Sequence, residues 1–361
     1  MDVKHLNPLR NLPTNADMGQ LHETFLVSAV AMILVIRTQL WLTNYPQLGG
    51  SGLHIAHLLW GGLFMVITIG ILLTLLGRGA RVPAAVLGGI GFGFFIDELG
   101  KFITEDNDYF FKPAAGVIYI CFVALFLVSR HLQRSRRLSE ADLLRNAMER
   151  LGGATHGNFD ARDRARTLEF LDGVDATNPM VVPLRELVHR IEAAPAPARS
   201  RWSLLAERVR RRYMEVAAKR WFVRAIVGFF AVWAAVTILN LATVIGALAS
   251  SDVESALLEE NGTFLGTAIG VSSGVAAVFV VIGLLRIRRG AREEGYEWIA
   301  RGLLVSLFIT QVFLFVQSQF GAVFGLGLDV VLLITVRTLA RNERERRAEQ
   351  PPAAEPAAAP A

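Results

Sequence analysis

Residues 53–76 read Leu-His-Ile-Ala-His-Leu-Leu-Trp-Gly-Gly-Leu-Phe-Met-Val-Ile-Thr-Ile-Gly-Ile-Leu-Leu-Thr-Leu-Leu, and the chain continues Gly77-Arg78-Gly79-Ala80-Arg81. No Asp, Glu, Lys or Arg interrupts the run. Wound as a helix it rises about 36 Å, more than the roughly 30 Å hydrocarbon core of a bilayer. This stretch is a membrane span that ends on arginines. Working outward, similar runs lie at 24–44, 82–104, 113–130, 222–249, 263–285, 298–318 and 321–338. The composition agrees, with 361 residues that are 53% hydrophobic and a mean hydropathy of +0.41. The expected fold is an all-α membrane protein of eight transmembrane helices.

Loop charges orient these spans. Arg78 and Arg81 follow span two; Arg130, Arg134, Arg136 and Arg137 follow span four. Arg286, Arg288, Arg289 and Arg292 follow span six, and Arg337, Arg341, Arg344, Arg346 and Arg347 follow span eight. The alternate loops are neutral or acidic, with Glu105, Asp106 and Asp108 in one and Asp252, Glu254, Glu259 and Glu260 in another. Lys and Arg collect on the cytoplasmic side of multi-pass proteins. The expectation is a bacterial inner-membrane protein with both termini cytoplasmic. The net charge of +5 and pI near 9.7 follow from these flanks, so no nucleic-acid partner is implied.

Five regions follow: a cytoplasmic segment 1–23, a first four-helix half 24–130, a cytoplasmic insert 131–220, a second half 221–339 and a tail 340–361. The start of the chain is polar, so no cleavable signal peptide is expected. Within the insert, Ser139-Glu140-Ala141-Asp142 has capping-box spacing. Helices are expected at 161–172 and 180–193, parted by the turn signal Asp175-Ala176-Thr177-Asn178-Pro179. Few large apolar residues serve this insert, so little core is expected within it. Residues 201–220 set Trp202, Leu204, Leu205, Val209 and Tyr213 among Arg208, Arg210, Arg211 and Arg212. Such a helix suits anionic lipid headgroups at the inner surface, or is a solvated lead-in to span five. The Pro/Ala/Glu-rich tail reads as disordered. Cys121, the lone cysteine, lies in an apolar run and can form no internal disulfide.

The halves echo each other. Leu-Gly-Arg-Gly-Ala-Arg (76–81) returns as Arg-Arg-Gly-Ala-Arg (288–292), Phe95-Ile96-Asp97-Glu98 as Phe308-Ile309-Thr310-Gln311, and Val128-Ser129-Arg130-His131-Leu132 as Thr335-Val336-Arg337-Thr338-Leu339. Four spans per half in one orientation suggest a parallel duplication.

One polar set breaks the symmetry. His54 and His57 open span two at a spacing that places both on one helical face. Asp97, Glu98 and Lys101 lie near the outer end of span three, Arg37 sits in the outer third of span one, and Asp106 and Asp108 follow. The second half has Leu265 and Ala268, then Thr310, Gln311 and Leu314, at the matching places. Ionisable groups within a membrane are costly and mark a functional interior. Three readings stay open. His54, His57, Asp97 and Glu98 can ligate a divalent metal such as Zn or Fe. Alternatively, Arg37 and Lys101 pair with the carboxylates as a packing network, or the set lines a substrate or proton path. Gly89 and Gly93 make a small-residue face for close helix packing. Asp329, mid-span in the last helix, suits a proton relay or a structural bond to a polar neighbour such as Asn240.

The run 91–113, Gly-Phe-Gly-Phe-Phe-Ile-Asp-Glu-Leu-Gly-Lys-Phe-Ile-Thr-Glu-Asp-Asn-Asp-Tyr-Phe-Phe-Lys-Pro, resembles a segment of uncharacterised bacterial polytopic membrane proteins. There an Asp-Glu span and an acidic-aromatic loop follow a His-containing span. The resemblance covers about residues 50–115. A looser similarity is to the VanZ-like proteins, which also pair an intramembrane His with a later acidic span. This chain lacks their fuller run of Arg and Asp after that span. The resemblance implies where a site lies and brings no reaction. The sequence thus leaves a membrane protein with an outer polar cluster, a transporter between two halves, or a scaffold acting through its insert.

Overall fold

The computed structural model describes residues 12–42, 57–99, 112–135, 138–192, 194, 201–217, 219–250 and 260–349. Their regular elements are all helices, joined by short turns, with one isolated bridge between Asp160 and Ala194. The chain divides into two compact units, Met1–Phe111 with Ile120–Ala198, and Lys112–Tyr119 with Arg199–Ala361. Seven helical segments among the described residues are long and apolar enough to cross a membrane.

In the first unit these are α1 (Met18–Leu42), α2 (His57–Thr74) and α3 (Arg78–Asp97), with α4 (Lys112–Ser135) contributing all but its first turns. α3 packs against both α1 and α2. The small-residue face explains how. A Cβ on Gly93 would stand 2.6 Å from the Ala29 carbonyl, and one on Gly89 would collide with the Phe25 carbonyl. On the other side Gly61 of α2 meets Gly91 and Phe95, where an added Cβ would lie 2.8 Å from backbone. Without side chains between them the backbones approach closely, which is how helices associate where lipid removes the hydrophobic drive. α2 turns Leu59, Val66, Ile69 and Leu73 outward, a surface suited to acyl chains.

The insert follows as α5 (Glu140–Gly152), a 3-10 turn Gly153–His156, α6 (Ala161–Asp172) and α7 (Val181–Arg190). The capping box at Ser139 forms: its hydroxyl accepts from Asp142 N at 3.2 Å, and Asp142 Oδ2 accepts from Ser139 N at 2.9 Å. The Asp175 turn also forms, with Thr177 N donating to Asp175 Oδ1 at 2.9 Å. Contrary to the expectation of little core, Leu144, Leu151, Phe159, Phe170, Leu171, Val181 and Val188 are buried together. These residues are scattered across three helices and a turn, so the cluster is invisible along the chain.

The second unit contains α8 (Arg201–Ala217), α9 (Arg220–Ser250), α10 (Glu260–Arg288), α11 (Arg292–Val305), a π-turn Ser306–Thr310, α12 (Gln311–Ser318) and α13 (Ala322–Glu349). Phe230, Val280, Tyr296, Ile299 and Val336 form its core. α11 packs on α10 and α13, and α9 packs on α10. The basic helix α8 is seated here, with Tyr213 donating to Thr335 Oγ1 at 2.9 Å. From α11 to α13 the chain counts as one long apolar segment, Arg292–Arg346. It is interrupted at Gln319, whose φ of 50° and ψ of −127° end α12 before the 3-10 turn Gln319–Gly321. The tail beyond 349 lies outside the described residues.

Candidate functional site

The polar cluster of Arg37, Asp97 and Glu98 is built near the ends of three helices. Asp97 is the last residue of α3, and its carboxylate is fully buried. Arg37, on α1, donates from Nε to Asp97 Oδ1 at 2.7 Å and from Nη2 to the Asp97 carbonyl at 3.1 Å. One guanidinium therefore neutralises the side chain and satisfies a carbonyl that the end of a helix leaves over. It also sets a cation where the α3 dipole is negative. Glu98 does the converse for α2. Its Oε2 accepts from Leu58 N at 2.6 Å, an anion held at the N-terminus of that helix. Both carboxylates thus accept from N–H donors at these helix ends.

His57 faces an aromatic wall. Its ring stacks on Phe94 at 6.0 Å, and Phe94 stacks on Phe64 at 5.9 Å. Among the described residues no three His, Cys, Asp or Glu side chains form a group able to hold a metal ion. His54, Lys101, Asp106 and Asp108 lie outside the described residues, so the four-ligand set is not seen whole. What is seen is a clamp: Arg37 with Asp97, and Glu98 with the α2 backbone.

A second polar cluster went unread in the sequence. Asp17, just before α1, and Asp163 of α6 are each bridged by two arginines. Arg78, at the α2–α3 turn, reaches Asp17 Oδ2 and Asp163 Oδ1, both at 2.8 Å. Arg150 of α5 reaches Asp17 Oδ1 and Asp163 Oδ1, also at 2.8 Å, and is only 8% exposed. Its guanidinium lies 5.5 Å from the Phe170 ring centre. Nearby, Asp142 Oδ1 accepts from Thr14 N at 2.5 Å, and Asn146 accepts from Ala16 N at 2.9 Å while donating to the Thr14 carbonyl at 2.8 Å. Arg81 pairs with Glu149 at 2.9 Å. The N-terminal segment, the α2–α3 turn and the insert therefore meet on one side of the first unit. Partners up to 133 residues apart leave no local pattern to find.

In the second unit Asp329 accepts from Ser306 Oγ at 2.8 Å and from Gln311 Nε2 at 3.0 Å. Asn240, the neighbour suggested by the sequence, is exposed instead. Ser306 opens the π-turn and Gln311 follows it directly, and both reach Asp329 on α13. The Tyr119 hydroxyl donates to the Leu307 carbonyl within that turn, and its ring stacks on Phe315 at 4.8 Å. No known family, curated protein or solved structure matches the chain.

Proposed function

We propose that this protein is a membrane-anchored scaffold: the spans hold, and orient at the cytoplasmic face, a small helical module that recruits partners. One observation carries the reading. The module owns a buried core and is fastened to the N-terminal segment and to the α2–α3 turn by the Asp17–Arg78–Arg150–Asp163 network. Arginine bridges of this kind, partly buried and multiply hydrogen-bonded, fix orientation more than they add stability. The outer polar residues that are described are occupied in holding helix ends, which favours the packing reading of that cluster over a metal or hydrolytic centre.

In this reading the break at Gln319 divides the last apolar segment into two, giving eight spans with both termini, the insert and all basic loops cytoplasmic. The turn glycines support a duplication. Gly77 and Gly290 both take φ near +88°, a conformation open to glycine, and are separated by the same interval as Phe95 and Phe308. The helix neighbours differ, since α1 packs on α3 whereas α9 packs on α10. Duplication followed by repacking accommodates both facts. The exposed Leu205 and Val209 of α8, with Arg208 and Arg211, suit anionic headgroups.

Photo-crosslinking in living cells tests the scaffold. A crosslinking amino acid at the exposed Met180 or Leu187 of the module should trap discrete proteins, and one at lipid-facing Leu73 should not. If the module traps nothing while a cysteine scan finds a water-accessible path through the spans, the protein is a transporter and the scaffold reading fails.

A further inference from the structure

The second unit carries an oxygen-rich site that the scaffold reading does not use. Asp329 sits about two turns inside α13, at membrane depth by the charge-based topology. Facing it, the π-turn Ser306–Thr310 interrupts the regular ladder, a feature that recurs at functional positions in helices. Gln311 is 2% exposed and Thr310 4%. The Gln311 amide gives Nε2 to Asp329, yet its Oε1 is buried and unpartnered, and so is Thr310 Oγ1. With Asp329 ionised, the form that binds a cation, turning the amide over would set two oxygens against each other, so Nε2 faces the carboxylate. Gly325, one helical turn before Asp329 on the same face, gives the amide its place: an added Cβ there would lie 3.4 Å from Gln311 Nε2. Tyr119 is the other titratable group at the π-turn.

An unpartnered amide oxygen on the residue that binds an intramembrane carboxylate, with an unpartnered hydroxyl next to it in the chain, calls for a cation. A single carboxylate matches one positive charge, and amide, hydroxyl and carbonyl oxygens are hard ligands. Interrupted helices use the same materials to coordinate sodium or protons in membrane proteins. We propose that Asp329 and Gln311, with Thr310 and the π-turn, form a binding site for a sodium-sized monovalent cation, with a proton as its competitor on Asp329.

The experiment is carbodiimide protection on the full-length protein in proteoliposomes. Dicyclohexylcarbodiimide adds the O–H of a protonated carboxyl across one C=N bond, and the adduct rearranges to a stable N-acylurea that peptide mass spectrometry locates. In choline chloride Asp329 should be modified, faster as pH falls. Sodium should slow the reaction by the factor 1 + [Na⁺]/Kd, about tenfold at ten times Kd. Asp329→Asn should abolish modification at this site. Gln311→Leu should leave Asp329 reactive but remove the sodium protection. Thr310→Val, the milder change, should raise the sodium concentration needed and serves if Gln311→Leu does not fold. Sodium without effect on the wild type overturns the proposal and leaves a proton site. Protection undiminished in both variants overturns the ligand assignment, and an unreactive Asp329 in choline overturns both.

Discussion

Replacing Arg37 by Ala removes the hydrogen bonds to the Asp97 side chain and carbonyl, and leaves a carboxylate whose side chain has no exposed surface. Breaking one partner of a buried ion pair costs about 3–5 kcal/mol, most of it the stranded charge. Asp97→Ala removes the carboxylate but keeps the backbone carbonyl that Arg37 Nη2 binds. Arg37 is 17% exposed, near the end of α1, and its long side chain can turn its head toward the headgroups. That relief should hold the loss to about 1–3 kcal/mol, in the range for a charged group losing its hydrogen bonds. The asymmetry is the prediction: Arg37→Ala should destabilise more than Asp97→Ala, by about 2 kcal/mol between the middles of the two ranges. Arg37→Leu combined with Asp97→Leu should recover much of the loss, because both charges of the pair are gone. Reversible unfolding in mixed micelles, followed by tryptophan fluorescence, measures all three. Equal losses for the single variants, or a double variant no better than Arg37→Ala, would refute the clamp.

Glu98→Ala removes a side chain that holds the first turn of α2, so it should cost about 0.5–2 kcal/mol, as for loss of a helix cap, measured by the same unfolding assay. Gly89→Ala should cost about 1–3 kcal/mol by overpacking α1 against α3, whereas Gly62→Ala, whose Cβ meets nothing within 4 Å, should be close to neutral; thermal melts in detergent compare them. Arg150→Ala should loosen the module by about 1–3 kcal/mol, less than a fully buried pair because both aspartates are partly exposed and keep Arg78; faster amide exchange confined to 138–192 and the N-terminal segment is the readout. Hydrogen bonds from the Thr177 backbone N–H and then its hydroxyl hold the Asp175 carboxyl below its usual range. This turn is thus favoured above the ordinary aspartate pKa and released as pH falls through the lowered one. Thr177→Val should raise the carboxyl midpoint only part of the way, since the backbone donor remains, as carbon-detected NMR titration can show.

Long apolar helices were legible because lipid imposes length and composition on each helix separately, and those are local properties. Gly89 and Gly93 could be read as a packing face from spacing alone, and their contacts with Phe25 and Ala29 match it. Arg37 and Asp97 were read as neighbours in depth, because counting residues from a membrane boundary gives height without a contact map. Azimuth was the missing coordinate. It decides that Arg37 takes Asp97, that Glu98 turns to the α2 backbone and that His57 faces Phe94. The π-turn had no signature either, since Ser306–Thr310 is composed like the helix on both sides of it. The insert's core was underestimated because Phe159 and Phe170 stand among charged neighbours and only tertiary folding aligns them.

The arrangement around Asp17 also sets a clock. Its two carboxylate oxygens have partners made at different times: Arg78 follows it by 61 residues and Arg150 by 133. At roughly 5–20 residues per second, the interval between those partners lasts about 4–14 s. During synthesis Arg78 can hold Asp17 Oδ2 while Oδ1, Thr14 and Ala16 still lack the α5 groups that later bind them. Nascent chains stalled near residue 130 should accordingly crosslink between cysteines placed beside the pair, at 18 and 79, and the same chains carrying Arg78→Ala should not; crosslinking that ignores Arg78→Ala would contradict this order. The segment around Asp17 thus passes from a provisional grip to a permanent one only after translation has moved past α5.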